Sequence, residues 1–177
     1  MPTAASPSPE GIRIGPVTED SFDAVLPLIA EYQVFYGAEP DAARNRSYFR
    51  RFLAPSELGT LLGAWDGDAM VGFTCLYFTG SSVSAKDVVL LSDLLVRGSH
   101  RGKRIGAALI DAALGVARQR GAAHVEWLTA IDNRRAQRLY ESIPGAQRYA
   151  WFGYEVSTEH DRGRSAVRAT ATAENDS

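Results

Sequence analysis

The chain has 177 residues, 45% hydrophobic and 23% charged, with a formal net charge of -2, which excludes a disordered chain and argues against a wide basic face for nucleic acid. Its single cysteine, Cys75, cannot form an internal disulfide. The first ten residues lack a signal-peptide plan and no apolar run approaches a membrane span, so a cytoplasmic protein without membrane or nucleic-acid partners is expected.

Residues 1–10 are rich in Pro, Ser and Ala and read as a disordered tail. Ile12-Arg13-Ile14 alternates like a short strand. Thr18 or Asp20 caps a helix that carries Phe22, Val25, Leu26, Ile29, Tyr32 and Phe35 inward, bent at Pro27 if that residue lies inside it. Pro40 and Asp41 open a second helix with Tyr48, Phe49, Phe52 and Leu53 as its buried face. The period then changes from about 3.6 to 2. Thr60 to Trp65 and Met70 to Thr79, joined by Asp66-Gly67-Asp68, form a hairpin. Val88 to Val96 is almost continuously apolar, as in a central strand buried on both faces. Ile105, Ala108, Leu109, Ala112, Ala113, Val116 and Ala117 share one helical face, with Gly121 as the stop. Val125 to Thr129 reads as a strand, Asn133 to Ile143 as a helix, Trp151 to Val156 as a last strand, and 158–177 as a second tail. The result is one domain over 11–157 in the order βααβββαβαβ.

Chemistry concentrates between the central strand and the helix after it, at Arg101-Gly102-Lys103-Arg104-Ile105-Gly106. The first amides of a helix have no internal acceptor partners and sit at the positive end of its dipole, so a phosphate placed there accepts several N–H bonds. Arg101, Lys103 and Arg104 add charge-assisted bonds. Neither G-x-x-x-x-G-K-[ST] nor G-x-G-x-x-G with a suitably placed acid is present, which disfavours ATP and NAD.

This loop resembles the phosphate loop of the GNAT superfamily of acyl-CoA N-acyltransferases, [RQ]-x-x-G-x-[GA]. Arg101 and Gly106 match, and Arg104 takes the middle glycine's place, which the loop accommodates if that residue avoids a positive φ. Asn133 to Glu141 followed by Gly145-Ala146 resembles the family's N-x-x-A-x-x-L-Y-E segment and the turn after it. The resemblance runs from about Ile12 to Val156, and Leu91 to Val96 with Trp151-Phe152-Gly153-Tyr154 look most like the polyamine and diamine branch. It implies an α/β (α+β) GNAT fold: a central mixed, mostly antiparallel sheet, flanked by helices and splayed at strand 88–96. It also implies acetyl-CoA as co-substrate, held by Leu94, Leu95, Val96, Arg101, Gly102, Lys103, Arg104, Ile105, Gly106, Asn133 and Tyr140, and a homodimer.

The implied reaction is direct attack of a small-molecule primary amine on the thioester, with Tyr140 protonating the departing thiolate; a phenol of ordinary pKa near ~10 is still protonated at neutral pH. An ammonium must first lose a proton, so a carboxylate base is expected. Asp93 is preferred over Glu126 and Glu31. Related polyamine enzymes often carry Glu just before this Asp, where this chain has Ser92. Tyr32, Phe35, Tyr36, Tyr48 and Phe49 read as mostly core, although helices before the hairpin often wall the acceptor pocket in this family. His100, His124 and His160 are scattered without ligand spacing, so no metal is expected, and Cys75 reads as a packed thiol. Alternative readings are a protein N-terminal or lysine acetyltransferase, a CoA-binding domain without turnover, and a nucleic-acid-binding module.

Overall fold

The computed structural model describes residues 9–158, so the two predicted tails lie almost wholly outside the described residues. These divide into two compact units, one through Leu128 and one from Thr129.

The first unit holds β1 (Ile12–Pro16), α1 (Phe22–Phe35), α2 (Ala42–Phe49), β2 (Gly59–Asp66), β3 (Ala69–Ser81), β4 (Lys86–Val96), α3 (Ile105–Gln119) and β5 (Val125–Glu126). Its five strands lie in chain order across one sheet. β1 to β4 pair antiparallel and β5 lies parallel to β4, giving the mixed sheet that was expected. The β2–β3 hairpin closes with Asp66 opposite Ala69.

Thr18 and Ser21 form a reciprocal capping box at the 3-10 turn that leads into α1, and the Asp41 carboxylate accepts the Arg44 amide at 2.8 Å to start α2. Such caps contribute about 1 kcal/mol each. α1 buries Phe22, Val25, Leu28 and Ile29 and carries Pro27 inside it. Phe35, expected inward, is 64% exposed because it ends the helix and stacks edge-on against Tyr36 instead. α2 is short: it stops at Phe49, and a 3-10 turn carries Phe52 into the same core as Phe22, Phe73, Cys75 and Leu95. Burying each of these phenylalanines contributes about 2–3 kcal/mol. α3 covers the other sheet face with Ile105, Leu109, Ile110 and Ala113 buried.

Three expectations for the strands need correction. Only Val125–Glu126 of the 125–129 segment is strand, and it pairs with β4 only at Val89 and Leu90. Past Leu90 the β4 edge has no strand partner among the described residues. Accordingly β4 is not buried on both faces throughout: Val88, Val89, Leu91 and Leu95 are buried, whereas Ser92 is exposed and Asp93, Leu94 and Val96 are half-buried.

The second unit contains α4 (Arg134–Glu141), shorter than the expected 133–143. The Asn133 side chain caps it, accepting the Ala136 amide at 3.1 Å. Trp151 to Val156 is not a strand among the described residues; Trp151, Phe152, Tyr154 and Val156 are 82% to 94% exposed. Alternating side chains favour a strand only where a neighbouring edge supplies ladder hydrogen bonds, and no described strand pairs with this segment.

Candidate active site

Irregularities in the two central strands build the site. β3 carries an extra residue at Val71, since Trp65 pairs with Met70 but Ala64 pairs with Gly72. The freed Val71 carbonyl accepts the Arg97 amide at 2.9 Å and holds the end of β4 against β3. The chain then makes a 3-10 turn over Gly98–His100, and His100 Nε2 lies 3.2 Å from Asp66 Oδ2. Arg101 Nε donates to the Val96 carbonyl at 3.0 Å, folding this side chain back over the strand end.

Gly102 has φ 81 and Arg104 has φ 60, ψ 13, both left-handed. The expectation that Arg104 avoids a positive φ is therefore overturned. The residue adopts the conformation for which glycine is suited, at a cost of about 1 kcal/mol. Left-handed residues ahead of a helix turn successive amides into a concavity that suits an anion. No side chain caps the start of α3, so its first amides keep their donors for a ligand. Arg101, Gly102, Lys103 and Arg104 are all exposed there, while Ile105 anchors the helix in the core. This loop suits an anion, and the β4 edge at Leu94 to Val96, which has no strand partner on that side among the described residues, lies directly before it.

A second group forms around Asp93. β4 has its own extra residue, Ser92, because Leu76 pairs with Leu91 and Cys75 with Asp93. Asp93 thereby shares the face of Cys75, the face that α1 covers. From α1 the Tyr32 hydroxyl donates to the Ser92 carbonyl at 3.4 Å, beside the carboxylate of the next residue, Asp93. The Ser92 hydroxyl donates to Asp93 Oδ1 at 3.4 Å. Burial pushes the Asp93 carboxyl up to about 6, against the lowering by its bonds from Tyr32 and Ser92.

Burial, and then the negative charge of Asp93, raises both the Tyr32 phenol and the Cys75 thiol well above their ordinary values. Burial and the 2.8 Å bond between the Tyr48 and Tyr77 hydroxyls do the same for Tyr77. In this cluster, then, the carboxyl is the group whose charge changes near neutral pH. The reading of Cys75 as a packed thiol agrees with its complete burial.

The other base candidates are engaged elsewhere: Glu31 lies 3.7 Å from Arg97, and Glu126 lies 3.5 Å from His124. Tyr32 and Tyr48 read as core from their helical period, yet their hydroxyls bond the Ser92 carbonyl and Tyr77. Tyr77 carried no sequence signal, since its alignment beside Asp93 depends on strand register. In the second unit, Asn133 is committed through its side-chain oxygen to capping α4, and Tyr140 is half-buried near the end of that helix. A cleft of about 580 Å³ between α3 and the β1–β2 side, lined by Gly15, Gly59, Asp111, Gly115 and Arg118 among others, includes none of the predicted site residues.

A mixed sheet opened beside its fourth strand, with a left-handed basic loop feeding a helix, is the architecture of an acyl-CoA-dependent acyltransferase. The model of the acetyltransferase (GNAT) family matches residues 24–145, and the chain belongs to that family. It is 36% identical over 118 residues to the uncharacterized N-acetyltransferase YhfO of Bacillus subtilis, covering 67% of this chain and 78% of that protein. It is 32% identical over 119 residues to the D-amino-acid N-acetyltransferase HPA3 of Saccharomyces cerevisiae, covering 66% and 73%. A crystal structure of a probable acetyltransferase superposes with TM-score 0.73 at 28% identity, over 84% of this chain and 99% of the other. The protein is thus an N-acetyltransferase, and members of its family use acetyl-CoA as co-substrate.

Proposed function

We propose that the protein moves the acetyl group of acetyl-CoA to a primary amine of a small molecule such as a polyamine, diamine or amino acid. The observation that carries this is the half-buried Asp93 carboxylate, raised to about 6 and set on the strand that leads into the phosphate-binding loop. A carboxyl that ionises just below neutral pH suits removal of a proton from an ammonium. The HPA3 relative, named for D-amino acids, supports a small amine-bearing acceptor.

In this reading acetyl-CoA supplies an electrophilic thioester carbonyl. The loop from Arg101 to Gly106 holds its phosphates through helix amides and cations, and the open edge at Leu94 to Val96 offers backbone groups to its arm. Asp93 takes the proton that frees the amine lone pair, and Tyr140, by resemblance to the family, returns a proton to the thiolate. Asn133 acts through the start of α4. A homodimer and a cytoplasmic setting belong to the same proposal and rest on the resemblance and the lone cysteine.

The test is a screen of polyamines, diamines, amino acids and aminoglycosides, read by release of free thiol from acetyl-CoA. Turnover with one amine class identifies the acceptor. Intact acetyl-CoA across the panel, with folded protein that CoA stabilises thermally, would leave a binding domain in place of the enzyme proposed.

A further inference from the structure

Tyr32 has one hydroxyl proton and two acceptors within reach on β4. One is the Ser92 carbonyl at 3.4 Å, at the extra residue of the strand, and the other is the carboxylate of the residue that follows it, Asp93. Its ring is fixed from two sides, edge-on to Phe73 with centroids 6.2 Å apart and 4.8 Å from Tyr36. The next residue, Gln33, ties the same helix to α2 through a pair of bonds with Asn45. A rigidly held donor between two acceptors on a flanking strand can change partner without moving its ring.

We propose that Tyr32 is a positioning residue for Asp93, donating its proton to the carboxylate while that group is ionised and to the Ser92 carbonyl once the group is protonated. The inference rests on the reading of Asp93 as the base. Atoms and electrons balance as follows: an N–H bond of the acceptor ammonium breaks, an O–H bond forms on Asp93, and the nitrogen keeps the electron pair. The new Asp93 O–H donates to Tyr32 Oη, whose own proton turns to Ser92 O. No other bond changes. Ser92 thus contributes its carbonyl to Tyr32 besides the hydroxyl it donates to Asp93.

The groups around Asp93 are Tyr32 from α1, with Tyr36 against its ring, Cys75 and Tyr77 from β3, and Ser92 on its own strand. All are hydroxyls or a thiol. β5 brings Glu126, already paired with His124. A change in the acid limb of the pH profile therefore reports on the carboxyl and its hydrogen bonds.

The experiment is the pH dependence of kcat/KM for wild type, Tyr32→Phe and Asp93→Asn. Tyr32→Phe keeps the ring and loses the bond to the ionised form, so the limb moves to higher pH; at pH 6 activity falls roughly fivefold relative to its own plateau. A limb that stays in place in Tyr32→Phe but vanishes in Asp93→Asn overturns the role of Tyr32 and leaves the base reading intact. A limb that survives in Asp93→Asn overturns the base reading itself. Carbon NMR of the wild-type protein supplies a check that needs no variant. The Tyr32 Cζ resonance follows the Asp93 titration if the hydroxyl changes partner, and a flat resonance across that titration overturns the proposal.

Discussion

Gln33 on α1 and Asn45 on α2 exchange two amide hydrogen bonds, 2.9 Å from Gln33 Nε2 to Asn45 Oδ1 and 2.8 Å in return. Asn45 is 4% exposed, so Asn45→Ala removes both bonds and leaves the Gln33 amide in a part-buried position. The expected loss of stability is about 2 kcal/mol. Because the pair fixes the helix that carries Tyr32, acceptor KM should rise as well. Urea unfolding checks the first effect; a loss below about 0.5 kcal/mol would show the pair to be incidental.

As the proposed base, Asp93 couples activity to stability with opposite signs. Its folded pKa, about 6, lies above the ordinary value of 3.8. The folded state therefore binds the proton more tightly, and this contribution to stability is fully present below about pH 4 and lost as pH rises through 6. Ionisation then costs the fold on the order of 2–3 kcal/mol at neutral pH. Asp93→Asn should unfold at a higher temperature than wild type at pH 7.5, with the difference shrinking toward pH 4, while turnover drops at least a hundredfold. Equal melting temperatures at both pH values would rule out a buried carboxyl at position 93 that gains a proton on folding.

Arg104 holds a left-handed backbone with a full side chain. Arg104→Gly should stabilise the protein by up to about 1 kcal/mol, whereas Arg104→Ala retains the strained backbone and gives no such gain. Both remove one cation from the proposed phosphate loop, so KM for acetyl-CoA should rise several-fold in each. Thermal melts beside acetyl-CoA titrations separate the backbone effect, which differs between the variants, from the charge effect, which they share.

Tyr140→Phe preserves the packing of a half-buried ring and removes only the hydroxyl. If this phenol protonates the leaving thiolate, kcat falls about 10²-fold or more while CoA affinity, measured by calorimetry, stays within twofold. Unchanged kcat assigns the proton to another donor.

Local signals carried most of the fold. The i, i+3, i+4 spacing from Ile105 to Ala117 sufficed for α3, and Asp66-Gly67-Asp68 between two apolar runs sufficed for the hairpin. Loop and helix chemistry also made the uncapped start of α3 legible, because glycine, arginine and a helix start are adjacent in sequence. What stayed hidden depends on contacts between distant residues. Tyr77 gives no sequence sign of lying near Asp93, since β3 and β4 meet with a register set by Ser92. Nor does Tyr32 announce that its hydroxyl reaches β4 at Ser92, 60 residues along the chain. Trp151 to Val156 had the alternation of a strand but lacks the ladder that makes one, and Phe35 had the right helical phase at a helix end.

The extra residue at Ser92 also sets how β4 tolerates change. Leu90 and Asp93 share a sheet face although an odd number of positions separates them, because the strand slips phase between Leu91 and Asp93. Deleting Ser92 would let Asp93 follow Leu91 directly and still meet Cys75, so every later side chain would keep its side of the sheet. A deletion that ordinarily inverts a strand is neutral for the core at this position. It would erase the carbonyl that accepts from Tyr32 and the hydroxyl that donates to Asp93. The chain thus keeps a residue that the hydrophobic pattern does not require, and separates the arithmetic of folding from that of the active site by a single peptide unit.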